Sequence, residues 1–558
     1  MRRPHRFWAA ILSLLFAASL AACSSGSQPK STGGETAPAN ASAPTEAKPA
    51  EPKRLVVGIW ASPDSFNPIT NTTGYGDLVV HLLFDSLVDQ SAAKEWVAGL
   101  AERWEVSADS RRFTFHLNPR AQWHDGRPVT ADDVLFTFGL ISRKETPTVL
   151  RSRLATLEGT ERDGSTPDGQ IAGLTKSDDH TVTFVTKQPV DRDVFLEQVG
   201  NKIHIVPRHV LEGVAPAELA KHPFSLNPTV GSGAFKFVRY NVDQHVELAR
   251  NPKYHKGEPK LDQLFIRIAN ARTLPALLES GEVDVTAGAG IGEVPIQDWK
   301  RITELPHIQA APYVPMVYQA MLINNQLPQF QDKRVRQALA LAINRQQIVD
   351  QLLKGEGTVH ITPYNANIKF YDKAIAEGLP FDLKRAEALL KEAGFDFSQE
   401  LILLTPTGNQ VREQSAELIQ ANLQQIGVKV KIEKLDFATA FARMRKLDYQ
   451  IGLVGLALTF DPDLTAVFGS KGSNNYTGFA NPAVDQLLQE ARATLEPGKR
   501  KQLYTELQKR WVEEMPFVPL YTPNGLTVVN KRAVGIRPGA NGPAPVGIAW
   551  NPEQWDVK

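Results

Sequence analysis

The side chains that could do covalent chemistry are scattered through the chain and not spaced for it. There is no His-Glu-x-x-His, no phosphate loop ending in Gly-Lys-Ser/Thr, and no Gly-x-Ser-x-Gly. Trp123-His124-Asp125-Gly126 sets a His beside an Asp. Neighbouring residues rarely converge on one metal and no third ligand is spaced to help, so the sequence predicts a tight turn in which Asp125 accepts backbone hydrogens. Gly288-Ala289-Gly290-Ile291-Gly292 follows a strand but lacks the spacing and the helix of a dinucleotide loop. It reads as a flexible loop. A hydrolase needs a nucleophile–base pair or a metal set, and neither stands in the sequence. No catalytic residue, metal or cofactor is expected.

Aromatic residues offer binding chemistry instead. Trp60 ends the first apolar run, and Tyr75 closes Thr72-Thr73-Gly74-Tyr75. Tyr313 and Tyr318 flank Pro315, Phe460 and Asp461 follow an apolar run, and Asn475-Tyr476 lie among Gly and Asn. Each alone fits core or surface. Together, on loops after strands and beside Gly and Thr, they could line a ligand pocket.

Such a pocket needs a scaffold. The 558 residues exceed what one compact core holds, which predicts two or more lobes. Lys and Arg (62) balance Asp and Glu (61), so no basic surplus points to nucleic acid. Arg2, Arg3 and Arg6 precede an apolar stretch, Phe7 to Leu20, too short to span a bilayer comfortably. Leu20-Ala21-Ala22-Cys23 then matches a bacterial lipobox and holds the only cysteine. Its resemblance to lipoproteins implies a signal peptide over 1–22, cleavage before Cys23 and a diacylglyceryl thioether on it. Two or more acyl chains anchor stably where one is marginal. The exported protein would have no disulfides. Ser24 to Lys53, rich in Ser, Ala, Pro, Gly and Thr, cannot bury enough surface to fold, so 23–53 reads as a lipid-anchored flexible tether.

From Arg54 onward, strands and helices alternate. Leu55 to Trp60, Phe113 to Leu117, Thr181 to Thr186 and Val283 to Thr286 read as strands. Helices are expected over Asp77 to Val88, from Thr130 as N-cap with Asp133 at N3, over Leu274 to Leu278, and up to Gly394. Further helices are expected over Glu413 to Gln425, Pro482 to Ala493 and Arg500 to Glu514. Met515 to Tyr521 must then run extended because of its two prolines. The pattern of Asp332 to Ile348 centres the chain: Val335, Leu339, Ala342 and Ile343 share a helical face, and Asn344 with Gln347 starts a second helix. The class is α/β with mixed sheets, without internal repeats.

The order of short motifs is more specific than any one of them. Leu100-Ala-Glu-Arg-Trp-Glu-Val-Ser-Ala-Asp109 leads into Trp123-His-Asp-Gly-Arg-Pro-Val-Thr-Ala-Asp-Asp-Val134. Gly231-Ser-Gly-Ala-Phe235, Arg250-Asn-Pro-Lys-Tyr254 and Gly281-Glu-Val-Asp284 follow. Asp332-Lys-Arg-Val-Arg-Gln-Ala338, Ala342-Ile-Asn-Arg345, Ala388-Leu-Leu-Lys-Glu-Ala-Gly394 and Asn481-Pro-Ala-Val-Asp485 complete the series. In this order, from about Leu55 to Val534, the chain resembles the family 5 extracellular solute-binding proteins, the oligopeptide-, dipeptide- and nickel-binding components of ABC importers.

The resemblance implies a two-lobed fold of the type II periplasmic-binding-protein kind, large peptide-binding subclass. A larger discontinuous lobe would span 54–312 and 523–558, and a smaller one 313–522. Hinges would lie at Ala311 to Pro315 and Pro519 to Pro523, and ligand would be buried by their closure. Partners would be an oligopeptide or other small solute, the ABC permease with its ATPase subunits, and the outer face of the membrane through the lipid; the protein would be a monomer. Thr72, Thr73, Gly74 and Tyr75 match a loop bordering the ligand, and Asn475-Tyr476 match a second. Gly455-Leu-Ala-Leu-Thr-Phe-Asp-Pro-Asp463 matches the loop that carries a Trp and an ammonium-binding Asp in peptide binders. Here Leu456 replaces the Trp, Thr459 stands at or near the Asp, and Phe460 and Asp461 follow. The segment Gly355 to Lys373 carries no Arg for a ligand carboxylate, only Lys369 and His360. Oligopeptides are the expected ligand; oligosaccharides, opines and nickel chelates remain open.

Overall fold

A computed structural model describes residues 51–558 except 92, 377, 459–460 and 540–547. The expected signal peptide, Cys23, the expected tether up to residue 50, Thr459 and Phe460 therefore lie outside the described residues. No helix among the described residues is long and apolar enough to cross a membrane.

Two large mixed sheets anchor the two lobes. One has seven strands in the order Ile308–Tyr313, Gly525–Asn530, Val285–Thr286, Arg54–Ile59, Gln263–Ile268, His245–Arg250, Phe235–Asn241. Arg54–Ile59 runs parallel to both of its neighbours, and the remaining pairs are antiparallel. A four-stranded antiparallel sheet, Ala101–Val106, Arg112–Leu117, Thr181–Val185 and Leu174–Asp178, extends the same lobe. The other large sheet has six strands in the order Gly357–Val359, Phe517–Pro523, Val317–Ile323, Ile451–Ala457, Glu400–Pro406, Lys429–Leu435.

The alternation of side chains explains why this second sheet is covered on both faces. Met321, Ile323, Leu401, Leu403, Ile451 and Leu453 enter one apolar cluster, under the helices Lys333–Leu341 and Arg345–Leu352. Ala320, Leu322, Leu404, Val454 and Leu456 enter another, under the helices Pro482–Ala493 and Pro497–Glu514.

Two buried arginines fix the first helix pair to the strand below it. Arg336 donates to the carbonyls of Phe330, Gln331 and Glu514 at 2.8, 2.8 and 2.9 Å. Arg345 donates to those of Pro519 and Ala340 at 2.8 and 3.0 Å. Burying a guanidinium is tolerable only when carbonyls replace its water. This is what the Arg336 and Arg345 positions of the central stretch do.

The chain passes between the sheets twice. Ile308–Tyr313 of the first leads through Val314–Met316 into Val317–Ile323 of the second, and Phe517–Pro523 returns through Asn524 to Gly525–Asn530. The crossings are tighter than the expected hinge segments: Pro519 and Pro523 still pair with Ala320 and Gly357 in the second sheet.

Local signals held where caps were explicit. Asn344 accepts from the Gln347 amide at 3.0 Å, while the Gln347 side chain turns to Asn422 and leaves the box half formed. Thr130 donates its amide to Asp133 at 2.9 Å. The helix expected over Asp77 to Val88 is instead Gly74–Leu83; Phe84 turns extended, and Val88 begins a short strand. Thr73 caps it, and Gly76 fits because a Cβ there would meet the Ser65 carbonyl at 2.5 Å.

Candidate functional site

The loop before the Gly74–Leu83 helix is organised by Asp64. Its carboxylate accepts from the Thr72 amide and hydroxyl at 3.2 and 2.7 Å and from the Thr73 hydroxyl. Burial pushes Asp64 up, but the hydrogen bonds from Thr73 and Thr72 outweigh it and hold the carboxyl below its ordinary value. Both hydroxyls are thus committed to Asp64, and Gly74 is the first helical residue. Tyr75 is half-buried against the core of the larger lobe.

The loop after strand Ile451–Ala457 carries Asp461, which accepts from Arg500 at 2.6 Å and from the Asp463 amide at 2.9 Å. Burial raises the Asp461 carboxyl, with Arg500 opposing. Arg500 is only 4% exposed and also reaches Asp191 of the larger lobe at 3.1 Å. Beside it, Lys369 pairs with Asp193 at 3.0 Å and Lys94 donates to Asn367 at 2.8 Å. These contacts tie the lobes together at the loop where the sequence expects ligand.

Asn475 serves its own loop, donating to the carbonyls of Gly469 and Phe479 at 3.1 and 2.8 Å. Tyr476 is half-buried and packs edge-on against Phe441, with ring centres 5.2 Å apart. Tyr318 lies in the core of the second sheet at 1% exposure, stacked between His360 and Phe517. The structure therefore joins Asp461 to the lobe interface, sets Thr72, Thr73, Gly74 and Tyr75 at a helix start on the larger lobe, and buries Tyr318 away from solvent.

Sequence reasoning did not single out Arg500 or Asp191. A signal for Arg500 existed: Arg500, Tyr504, Leu507 and Trp511 are buried on one face of Pro497–Glu514, so the arginine stands on an apolar stripe. Asp191, as N-cap of the short helix Arg192–Phe195, looks like ordinary capping.

Elsewhere the expected turn at His124 formed. Asp125 accepts from the Arg127 amide at 3.1 Å and from His209 at 2.9 Å. His124 bridges the Gly231 amide and the Gly233 carbonyl at 3.1 Å each, and burial pulls it down to about 4. Gly288 and Gly290 take positive φ in a closed loop, and Pro295 separates it from the helix Ile296–Thr303. Among the described residues, no group of three or more His, Cys, Asp or Glu is placed to hold a metal ion.

Comparison with known proteins agrees with this architecture. The oligopeptide-binding protein AppA of Bacillus subtilis is 26% identical over 509 residues, covering 88% of this chain and 90% of its own. Di/tripeptide-binding protein 2 of Pseudomonas aeruginosa is 29% identical over 510 residues, covering 88% and 93%. Among solved structures, the ABC transporter substrate-binding protein CtaP of Listeria monocytogenes superposes with a TM-score of 0.79 at 24% identity, over 91% of this chain and all of its own. AppA of B. subtilis in complex with a nonapeptide gives 0.70 at 25%, over 91% and 100%. AgaA of A. tumefaciens R10 in complex with agropinic acid gives 0.70 at 25%, over 90% and 99%. Residues 95–478 match the bacterial extracellular solute-binding proteins, family 5 Middle. The chain belongs to the family 5 bacterial extracellular solute-binding proteins.

Proposed function

We propose that the chain is the lipid-anchored receptor of an ABC importer, capturing oligopeptides between its lobes and delivering them to the permease. The observation that carries this reading is the pairing of Arg500 with both Asp461 and Asp191. It places the loop after strand Ile451–Ala457 against the opposite lobe, where closure would enclose a ligand. Family membership and the peptide-binding relatives support it. The larger lobe would comprise 54–312 and 523–558, the smaller 313–522, with bending at the two crossings. Thr72, Thr73, Gly74, Tyr75, Tyr318, Thr459, Phe460, Asp461, Asn475 and Tyr476 are the candidate ligand-binding positions. The buried Tyr318 would act by supporting the sheet beneath the cleft. Cys23 would carry the lipid on the outer face of the membrane, and the receptor would act as a monomer. An extended peptide would be held through its backbone as an added strand, with side chains in wet pockets that tolerate variety.

A second reading, a non-peptide solute such as an opine, rests on Thr459 at or near the ammonium-anchoring position and on the lack of Arg over Gly355 to Lys373. Native mass spectrometry of the exported protein, purified without added ligand, separates the two. A ladder of adducts that fragment as peptides supports peptide capture. A single non-peptide mass keeps the receptor and removes the peptide.

A further inference from the structure

The Thr72 loop forms one wall of a cavity of about 230 Å³ in the larger lobe, next to the lobe interface. Its polar lining includes Asn71, Thr72, Asp77, Arg153, Lys202 and His204. Its position beside the interface follows from the helical stretch Arg192–Asn201: Gln198 on it accepts from Arg153, while Asp191 and Asp193 at its start pair with Arg500 and Lys369 of the smaller lobe.

Arg153 is the unusual member of the group. It comes from the short helix Arg151–Leu154, and one arm of its guanidinium donates to the Gln198 side chain. Its Nε is buried and has no hydrogen-bond partner among the described residues. Asp77 and Glu197 act on it through space, yet neither forms an ion pair with it among the described residues. A buried guanidinium N–H without an acceptor is costly, and a carboxylate that reached the Arg153 side chain from the cavity would offset part of that cost.

Across the wall, the two cations Arg153 and Lys202 outnumber the single carboxylate of Asp77. Burial pulls Lys202 down only to about 8, so it stays charged at neutral pH. Burial takes His204 to about 3 and lowers His81, which keeps both rings neutral. Burial lifts Asp77 to about 6, and it is the one carboxylate on the wall.

We infer that this cavity is a subsite for a carboxylate of the bound solute, received by the Arg153 guanidinium with Lys202 adding charge behind it. The inference rests on the receptor reading and narrows it to carboxylate-bearing ligands. In a peptide the group could be an acidic side chain or the free C-terminus.

Calorimetric titration of the full exported protein with pentapeptides of alanine tests this. The set carries a single Glu or Gln at each position, with free or amidated C-termini, together with an opine-type dicarboxylate. We expect one Glu position to bind about tenfold or more tighter than its Gln counterpart, or amidation to cost a similar factor; the first identifies a side chain and the second the terminus. Arg153→Gln narrows that difference to within about twofold, and Lys202→Met, read in the same way, serves if Arg153→Gln fails to fold. If no peptide binds but the dicarboxylate does, with loss on Arg153→Gln, peptide capture fails and the subsite stands. Equal binding of anionic ligands by wild type and variants, or no preference for carboxylate over amide in any ligand, overturns the subsite.

Discussion

The two edges of the interface between the lobes are built from different chemistry. Beside the crossings, Glu356 of the smaller lobe accepts from the Trp299 indole at 3.0 Å and the Asn524 side chain at 3.1 Å, and its carbonyl accepts from the Asn524 amide at 3.1 Å. All these donors are neutral, and the Asn524 pair sits within a turn of the crossing itself. At the far edge, the contacts include ion pairs between residues 309 and 176 positions apart in sequence, Arg500 with Asp191 and Lys369 with Asp193, and the cation of Lys94 on the neutral Asn367. Rotation about the crossings would move the near edge little and break the far edge completely. Interactions that favour a closed arrangement would therefore reside mainly at the far edge, and mutations there should act on closure where near-edge mutations act on local stability.

Arg500 gives the sharpest test. Its side chain is 5% exposed and neutralises two carboxylates, so Arg500→Gln leaves Asp461 and Asp191 without their shared cation. Removing one partner of a buried pair costs about 3–5 kcal/mol. Much of that cost should appear as weakened ligand binding, a loss of a hundredfold or more by calorimetry. Asp191→Asn should cost less, about tenfold, because Arg500 keeps Asp461. Lys369→Gln should change affinity by no more than about fivefold, since the pair is 44% and 36% exposed and such pairs are worth at most about 1 kcal/mol. If all three variants bind alike, the far edge does not govern closure.

The near edge should instead be acid-sensitive. His360 lies 2.8 Å from Thr522, in the strand that leads to the second crossing, and its Nδ1 donates to the Tyr364 carbonyl at 3.2 Å. Burial pulls it from 6.5 down to about 4. Below pH 6.5 the unfolded chain takes up a proton that the folded chain refuses, so this histidine's contribution is full above pH 6.5 and declines as the pH falls toward 4. His360→Gln should lose fewer degrees of Tm than wild type between pH 7 and pH 5. An identical loss would remove His360 from the acid response.

The sequence made the scaffold legible because its signals are local. Asn344 and Thr130 cap helices through residues three positions away, and Gly281 and Gly427 stop helices or their ends with φ of 73° and 81°. Runs such as Val317–Ile323 alternate between two buried faces, which only a covered sheet strand does. The lobe interface was not legible, because its pairs join distant positions. Asp191 reads as a cap and Arg500 as one more cation in Gly498-Lys-Arg-Lys501 until the fold brings them together. The aromatic readings divided for a related reason. Composition marks Tyr318 and Tyr476 alike, but strand parity sends Tyr318 into the core while Tyr476 stays on a loop against Phe441.

Capture by closure about the two crossings is measured most directly by a distance across the lobes. Cys23 is the only cysteine, so a Cys23→Ser background lets spin labels be placed through Lys221→Cys on the larger lobe and Lys384→Cys on the smaller, both exposed positions. Pulsed electron resonance on protein stripped of ligand and refolded should give a broad or longer distance. Saturation with the ligand recovered from the native protein should collapse it to one shorter distance, and Arg500→Gln should retain the longer distance at ligand levels that close the wild type. An unchanged distance distribution on saturation would contradict capture by closure of the lobes.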